Sequence, residues 1–363
     1  MISFSLTEEQ QMLVEAVKRY AERDLRPWLR EADESGQLAG RLIEAGWELG
    51  LIASNIPEAY GGFGNHAALT GVLLAEELAW GDLSAALTLL APNLLVIPLL
   101  EYGSEKQKQN LLPQFCHMSF APATAALTEP YLTFDPYHLK TTAARQNGHY
   151  TLNGQKAFVP LAAEAGHILV YAAEDNQPQA FIVNKNTPGL KIGQREKNMG
   201  LNALPTYKIS LENCAVGADC KLGGEQGIDF NRLLNYSRVA MAAMAVGVAR
   251  ASYEYALAYA KEREAFGEPI ASRQAIAFML AEMAIEIDAA RLMAWEAAWK
   301  LDRGEEATRE AVLVKRYADE MALRVTDNGV QILGGHGYIR DHPVELWLRN
   351  GRSFAVLEGI AMV

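Results

Sequence analysis

The sequence predicts an α+β protein, mostly α, with a helical amino-terminal domain (residues 1–119), a β-barrel-like middle domain (120–225) and a carboxyl-terminal four-helix bundle (226–363). Three observations carry that prediction. Apolar residues recur at helical spacing over the first third, behind two capping boxes. After Pro122 the segments become short and are separated by turn residues. From Gly227 long stretches with few helix breakers return, each able to cross a domain.

Taken in order, Thr7 with Gln10 forms the first capping box, and Leu13, Val14, Val17 and Ala21 fall on one helical face behind it. Leu38 to Leu49, His66 to Trp80 and Ser104 to Phe115 repeat the pattern, the last opening on a second box from Ser104 and Gln107. Ile56 to Gly64 reads as a loop containing Pro and Gly. Leu83 to Leu100 carries no charge and is long enough to suggest a membrane span. Pro92, Asn93 and Pro98 interrupt it, so it reads as two buried helical pieces.

Strands are expected at Ala123 to Leu127, Leu139 to Ala144, His149 to Leu152, Ile168 to Ala172, Gln179 to Val183 and Tyr207 to Leu211. Asn147-Gly148 is a hairpin turn by its tolerance of positive φ, and Asn153-Gly154 supplies a second turn. The bundle helices are Ile228 to Arg263, Ser272 to Arg303 and Thr308 to Leu333. Within the first, Met241 to Val248 is almost wholly Ala, Met, Val and Gly, so neighbours can approach it from several sides.

A chain of 363 residues, 50% of them hydrophobic and 21% charged, can bury a large core. The net charge of −11, with no run of Lys and Arg, argues against a nucleic-acid surface. Cys116, Cys214 and Cys220 are scattered, and neither they nor the seven histidines show metal-ligand spacing. Met1-Ile2-Ser3-Phe4 leads directly into a polar helix start without a secretory signal, and the chain reads as cytoplasmic.

Glu358 stands between the apolar run Phe354 to Leu357 and Gly359. A carboxylate among apolar neighbours is disfavoured in its charged form, which would raise its pKa toward neutrality and suit it to take a proton from a weak carbon acid. A solvent-facing glutamate at a helix end fits the same residues. Arg263-Glu264-Ala265-Phe266-Gly267, followed by Gln274, offers a guanidinium to a phosphate and a ring to a flat ligand, or is an ordinary helix terminus. Gln331 to Tyr338, with paired Gly334 and Gly335, brings backbone N–H groups toward an anion or caps a helix. Thr128-Glu129-Pro130 ends an apolar strand, and Asn235 and Arg238 share a helix face.

In this order the clusters resemble the flavin-dependent acyl-CoA dehydrogenase family, through Pro57-Glu58-Ala59-Tyr60-Gly61-Gly62, Leu127-Thr128-Glu129-Pro130, Asn153-Gly154-Gln155-Lys156, Arg263 to Gly267, Gln331 to Tyr338 and Glu358-Gly359. The resemblance implies the acyl-CoA dehydrogenase fold, FAD as cofactor and Glu358 as the base that takes the α proton of an acyl-CoA thioester, giving a trans-2-enoyl-CoA. It further implies a homo- or hetero-oligomer, dimer or tetramer, with electrons passing to an electron-transferring flavoprotein. Each FAD would lie between two subunits. Leu127, Thr128, Phe134, Phe158, Val159, Pro160, Gly359 and Ile360 would line the receiving cleft, and Phe134, Asn235 and Arg238 would meet the substrate. The neighbouring copy would lend Arg263, Phe266, Gln274, Gln331, Ile332, Leu333, Gly334 and Gly335 to the pyrophosphate and adenosine.

The lending residues keep the family pattern, whereas the receiving ones depart from it. Tyr131 to Asp135 replaces a Gly-rich loop ending Gly-Ser-Asp, and Phe134 stands where a hydroxyl is expected. Pro160 replaces a Thr or Ser and removes both a hydroxyl and an N–H. Ile360 replaces a Thr or Ser, Asn235 an acidic residue, and the sequence stops soon after Glu358, short of the usual closing segment. Each donor lost opposite a flavin heteroatom costs on the order of 1–3 kcal/mol. The departures add two readings: a non-flavin partner subunit for a bulky acyl-CoA such as a steroid side chain, and a binding or scaffold homologue.

Overall fold

A computed structural model describes residues 5–146 and 148–363. The reading of Met1 to Phe4 and the Asn147 half of the first hairpin turn lie outside them.

Helix α1 (Glu8–Tyr20) begins as the sequence requires: Thr7 Oγ1 accepts from Gln10 N at 3.2 Å, and Gln10 Oε1 accepts from Thr7 N at 3.0 Å. A π turn and a 3₁₀ turn carry the chain into α2 (Leu29–Ser35), closed by Gly36 at φ 69°, and α3 (Gly40–Trp47) follows. α4 (Ala68–Gly81) lies under the bundle. The uncharged stretch forms two helices, α5 (Leu83–Leu90) and α6 (Asn93–Tyr102), packed inside the fold. Asp82 caps α5 by accepting from Ser84 N and Ala85 N at 2.6 and 3.2 Å. α7 (Glu105–Leu111) opens on the Ser104–Gln107 box but ends earlier than the sequence suggests, because Pro113 tightens Leu112–Cys116 into a 3₁₀ turn.

The middle region is one curled sheet. Its strands are β1 (Thr124–Ala126), β2 (Thr142–Gln146), β3 (His149–Pro160), β4 (His167–Glu174), β5 (Gln177–Asn184), β6 (Leu190–Arg195) and β7 (Thr206–Gly217). They run in the order β1-β4-β2-β3-β7-β6, with β5 also paired to β4. Asn153-Gly154 is not a turn. It sits inside β3 as a bulge against β7, where Gly154 at φ 151° leaves room for the Thr141 backbone and Asn153 Oδ1 accepts from Asn213 N. One face of the sheet closes over Tyr150, Leu152, Val159, Val170 and Phe181; the other presents Ala125, Leu127, Leu169 and Tyr171 to the helices.

α8 (Phe230–Glu262) leads through a small hairpin, β8 (Glu264–Ala265) and β9 (Glu268–Pro269), to α9 (Gln274–Asp302). α10 (Thr308–Leu333), one turn α11 (Gly335–Tyr338) and α12 (Val344–Ser353) complete the chain's helices. α8, α9, α10 and α12 make the four-helix bundle. α8 is buried along most of its length, as its small-residue run predicts. A Cβ on Gly247 would stand 2.3 Å from Glu76 O, so only glycine lets α4 approach there. Arg250 and Arg291 close on the buried Glu76 at 2.7 and 3.0 Å, tying α4, α8 and α9 together.

Candidate active site

Glu358 lies on the segment that leaves α12, where the chain crosses between the bundle and the sheet. Thr128, two residues past the end of β1, donates from Oγ1 to Glu358 O at 2.9 Å. Gly359 adopts φ 71°, and a Cβ there would meet Leu127 Cδ2 at 2.5 Å, so this residue must be glycine for the two segments to touch. The Leu127–Glu129 turn is itself clamped. Lys156 on β3, fully buried, donates from Nζ to Leu127 O at 2.9 Å and to Glu129 Oε1 at 3.0 Å, while Lys140 N and Thr141 N both donate to the same carboxylate. Burial pushes the Lys156 ammonium down to about 8. Burial also works against ionised Glu129, yet Lys156 and the Thr141 and Lys140 donors hold it below the usual carboxylate range.

The surroundings of Glu358 differ from the apolar setting expected of it. Phe354 and Leu357 turn into the core while Val356 is exposed, so the apolar run does not enclose the carboxylate. A cation meets it instead: Arg238 on α8, itself buried, donates from Nε to Glu358 Oε1 at 3.0 Å and from Nη1 to Tyr137 OH at 3.2 Å. Asn235, one turn earlier, is buried elsewhere, donating from Nδ2 to Thr308 Oγ1 at 2.9 Å. The shared helix face thus divides, with Arg238 at the cleft and Asn235 against α10.

The carboxylate opens on a cleft of about 770 Å³ bounded by Thr128, Phe134, Phe158, Arg238, Asp319 and Glu358. Phe158 also borders an apolar cleft of about 280 Å³ under Gly200 and Leu357. Two hydrogen-bond donors along these walls are already engaged. The Thr128 hydroxyl serves Glu358 O, and Phe158 N, on backbone at φ 53°, donates to Glu196 Oε2 at 3.0 Å. Val159 packs into the inner face of the sheet, and Pro160 opposite Thr206 has no N–H to offer. Phe134 is half-buried. Ile360 joins the helical core with Ala361, Met362 and Val363, where Asn93 Nδ2 donates to Met362 O at 3.3 Å.

Arg263 and residues 332–336 border a second groove on the same chain. Arg263 caps α8, and Phe266 (φ 57°) and Gly267 (φ 86°) make the β8–β9 turn, leaving the Phe266 ring 98% exposed. A groove of about 320 Å³ runs between Tyr259, Arg263, Ile270 and Gly334 to His336. Apart from immediate chain neighbours and, for Gly335, the backbone of its own helical turn, no atom of the described residues lies within 4 Å of where a Cβ on Gly334 or Gly335 would stand, so the backbone there is open to a ligand. Gln274 and Gln331 are exposed, whereas Ile332 and Leu333 turn their side chains inward. Tyr259 OH and His336 Nδ1 meet at 2.7 Å across the groove.

Sequence reasoning names the residues of both sites but not their supports. It gives no reason to single out Tyr137, Lys315, Asp319 or Glu196. Each sits in a segment whose role only the fold reveals, and Tyr137 next to the atypical 131–135 loop is the nearest to a readable signal.

Residues 7–119, 124–214 and 227–362 match the amino-terminal, middle and carboxyl-terminal domains of acyl-CoA dehydrogenase respectively. A probable acyl-CoA dehydrogenase of Bacillus subtilis, YngJ, is 37% identical over 371 residues, covering 100% of this chain and 97% of its own. Among solved structures, butyryl-CoA dehydrogenase from Megasphaera elsdenii superposes with a TM-score of 0.90 at 33% identity, over 99% of this chain and 96% of the other. An FAD complex of PigA gives a TM-score of 0.90 at 26% identity, over 98% and 95%.

Proposed function

This chain belongs to the acyl-CoA dehydrogenase family of oxidoreductases, and from that premise we propose that it takes part in FAD-dependent α,β-dehydrogenation of an acyl-CoA thioester to the trans-2-enoyl-CoA. The observation that carries the reading is the placement of Glu358. Its backbone is fixed by Thr128 and Gly359, while its carboxylate faces a cleft large enough for an organic thioester.

Glu358 takes the α proton. Arg238 holds the carboxylate in place through Nε, and Tyr137 holds Arg238 from the far side, so the base meets substrate in a fixed orientation. FAD, when bound, supplies the acceptor for the hydride that leaves the β carbon. The donor chemistry of the lending site fits that cofactor: Arg263 for the pyrophosphate and the open Gly334-Gly335 backbone in one groove, with Phe266, Gln274 and Gln331 exposed on the same chain. The receiving cleft offers the Phe158 ring as a flat wall beside Thr128, whose hydroxyl, like the Phe158 N–H, is already engaged. PigA is a neighbour whose structure holds FAD. The family further supports an oligomer that completes the site between subunits, and an electron-transferring flavoprotein as acceptor.

The engaged Phe158 N–H and the missing Pro160 N–H favour a second reading. In it the chain lends Arg263 and the Gln331 loop to the FAD of another dehydrogenase subunit, acting on a bulky acyl-CoA, while its own cleft does not hold the cofactor. A Glu358→Gln variant, assayed in the active assembly, tests the first reading. Turnover is expected to fall by about 10²–10⁴-fold with the fold intact. Full turnover in the variant would remove Glu358 from the chemistry.

A further inference from the structure

Asp319 on α10 lines the same cleft as Glu358. Its two oxygens are used unequally. Oδ2 accepts from Lys315 Nζ at 2.5 Å, while Oδ1 is buried without a hydrogen-bond partner among the described residues. Lys315 also donates to Phe354 O at 2.8 Å, at the end of α12 and four residues before Glu358. Lys315 and Asp319 therefore brace the turn from which the base is presented. Arg238, Glu358, Lys315 and Asp319 form a quartet of two cations and two anions around one cleft.

We propose that Asp319 is a positioning residue for Glu358: through Lys315 it fixes the turn that carries the base, and its charge is coupled to the proton the base takes up. The proposal rests on reading Glu358 as the base. When the α proton moves from carbon to Glu358, the quartet changes from neutral to a single positive charge. Without the Asp319 anion, Lys315 would face the site unpaired, and proton uptake would leave two uncompensated cations.

The surrounding charges agree. Burial pushes the Asp319 carboxyl up to about 6 against the Lys315 contacts, and the negative charges of Glu358 and Glu320 add to the rise. The other groups at hand are Arg316 and Glu320 on α10, Arg238 on α8, and Glu129 on the sheet side, which is closed onto Lys156.

The test uses the full chain with Asp319→Asn, Asp319→Glu and Glu358→Gln. Infrared difference titration follows the carboxyl C=O stretch of each protein across the acid range. Asp82 also titrates near pH 6, so the readout is the difference between wild type and Asp319→Asn: it is expected to show one carboxyl protonating near pH 6, and Glu358→Gln is expected to move the midpoint of that component to lower pH. A midpoint unmoved by Glu358→Gln overturns the coupling.

In the active assembly, exchange of solvent deuterium into the α carbon of an acyl-CoA is measured by mass spectrometry against pH. For Asp319→Asn the acidic limb is expected to shift to lower pH and the maximal exchange rate to fall on the order of tenfold, with KM little changed. Asp319→Glu should restore most of the rate. A uniform loss without a shift in the limb, or no rescue by Glu, overturns the positioning role. A coupled titration in a protein that shows no exchange dependent on Glu358 overturns the proposed function and leaves the coupling standing.

Discussion

At Gly359 a missing side chain holds the site together. The φ of 71° and the 2.5 Å that would separate an added Cβ from Leu127 Cδ2 mean that alanine must both strain the backbone and push the β1 end away from Glu358. Gly359→Ala is expected to cost on the order of 1–3 kcal/mol in urea unfolding and to lower turnover by more than its stability loss explains. Unchanged turnover would show that contact between the 127–129 turn and the base segment is not needed. Glu358 itself is legible in the sequence, through its glycine and the residues in register upstream. Its partner is not. Arg238 lies 120 residues away, and nothing in local spacing says which face of a long helix will meet the carboxyl-terminal segment. The same blindness explains why an apolar run suggests an apolar enclosure, when the irregular backbone turns some of its residues in and others out.

Elements differ in how plainly the sequence marks them. Both capping boxes and the long bundle helices are readable, because their signals lie within a few residues of each other. α12 and β6 carry no such mark, the first because it is short and follows a proline, the second because its alternation stops after Leu190 and Ile192, at Gly193-Gln194-Arg195. The Asn153-Gly154 bulge looks like a turn until β7 is seen to pair across it. At this scale the Asp82 cap makes a pH prediction. Burial pushes its carboxyl from 3.8 up to about 6, against the Ala85 and Ser84 N–H groups that favour its charge. Between those values the folded protein holds the proton that the unfolded chain has released, so this group's contribution to stability decreases as pH rises from 3.8 to about 6. Asp82→Asn keeps the cap acceptor and removes the titration. The difference in urea midpoint between variant and wild type is expected to shift in the variant's favour across that interval; a difference independent of pH would show that Asp82 titrates normally.

For the whole molecule, the two halves of the proposed cofactor site lie on separate parts of one chain, the Glu358 cleft and the Arg263 groove. On the proposed reading a second subunit completes either half, in keeping with the exposed Phe278, Ile285 and Leu292, which follow one another at regular intervals of two helical turns along α9. Ile285→Asp is expected to lower the sedimentation coefficient and the retained flavin together, without loss of helical signal. A variant that dissociates but keeps its flavin would place the cofactor within a single chain.

The most direct measurement of the composite site is the visible spectrum of the purified chain, alone and after co-expression with a second acyl-CoA dehydrogenase subunit, before and after anaerobic addition of an acyl-CoA. The expected result is a flavin spectrum in at least one of these assemblies, bleached by the thioester when Glu358 is present and not when it is replaced by Gln. A colourless protein in every pairing, or bleaching that ignores the Glu358→Gln change, would contradict it.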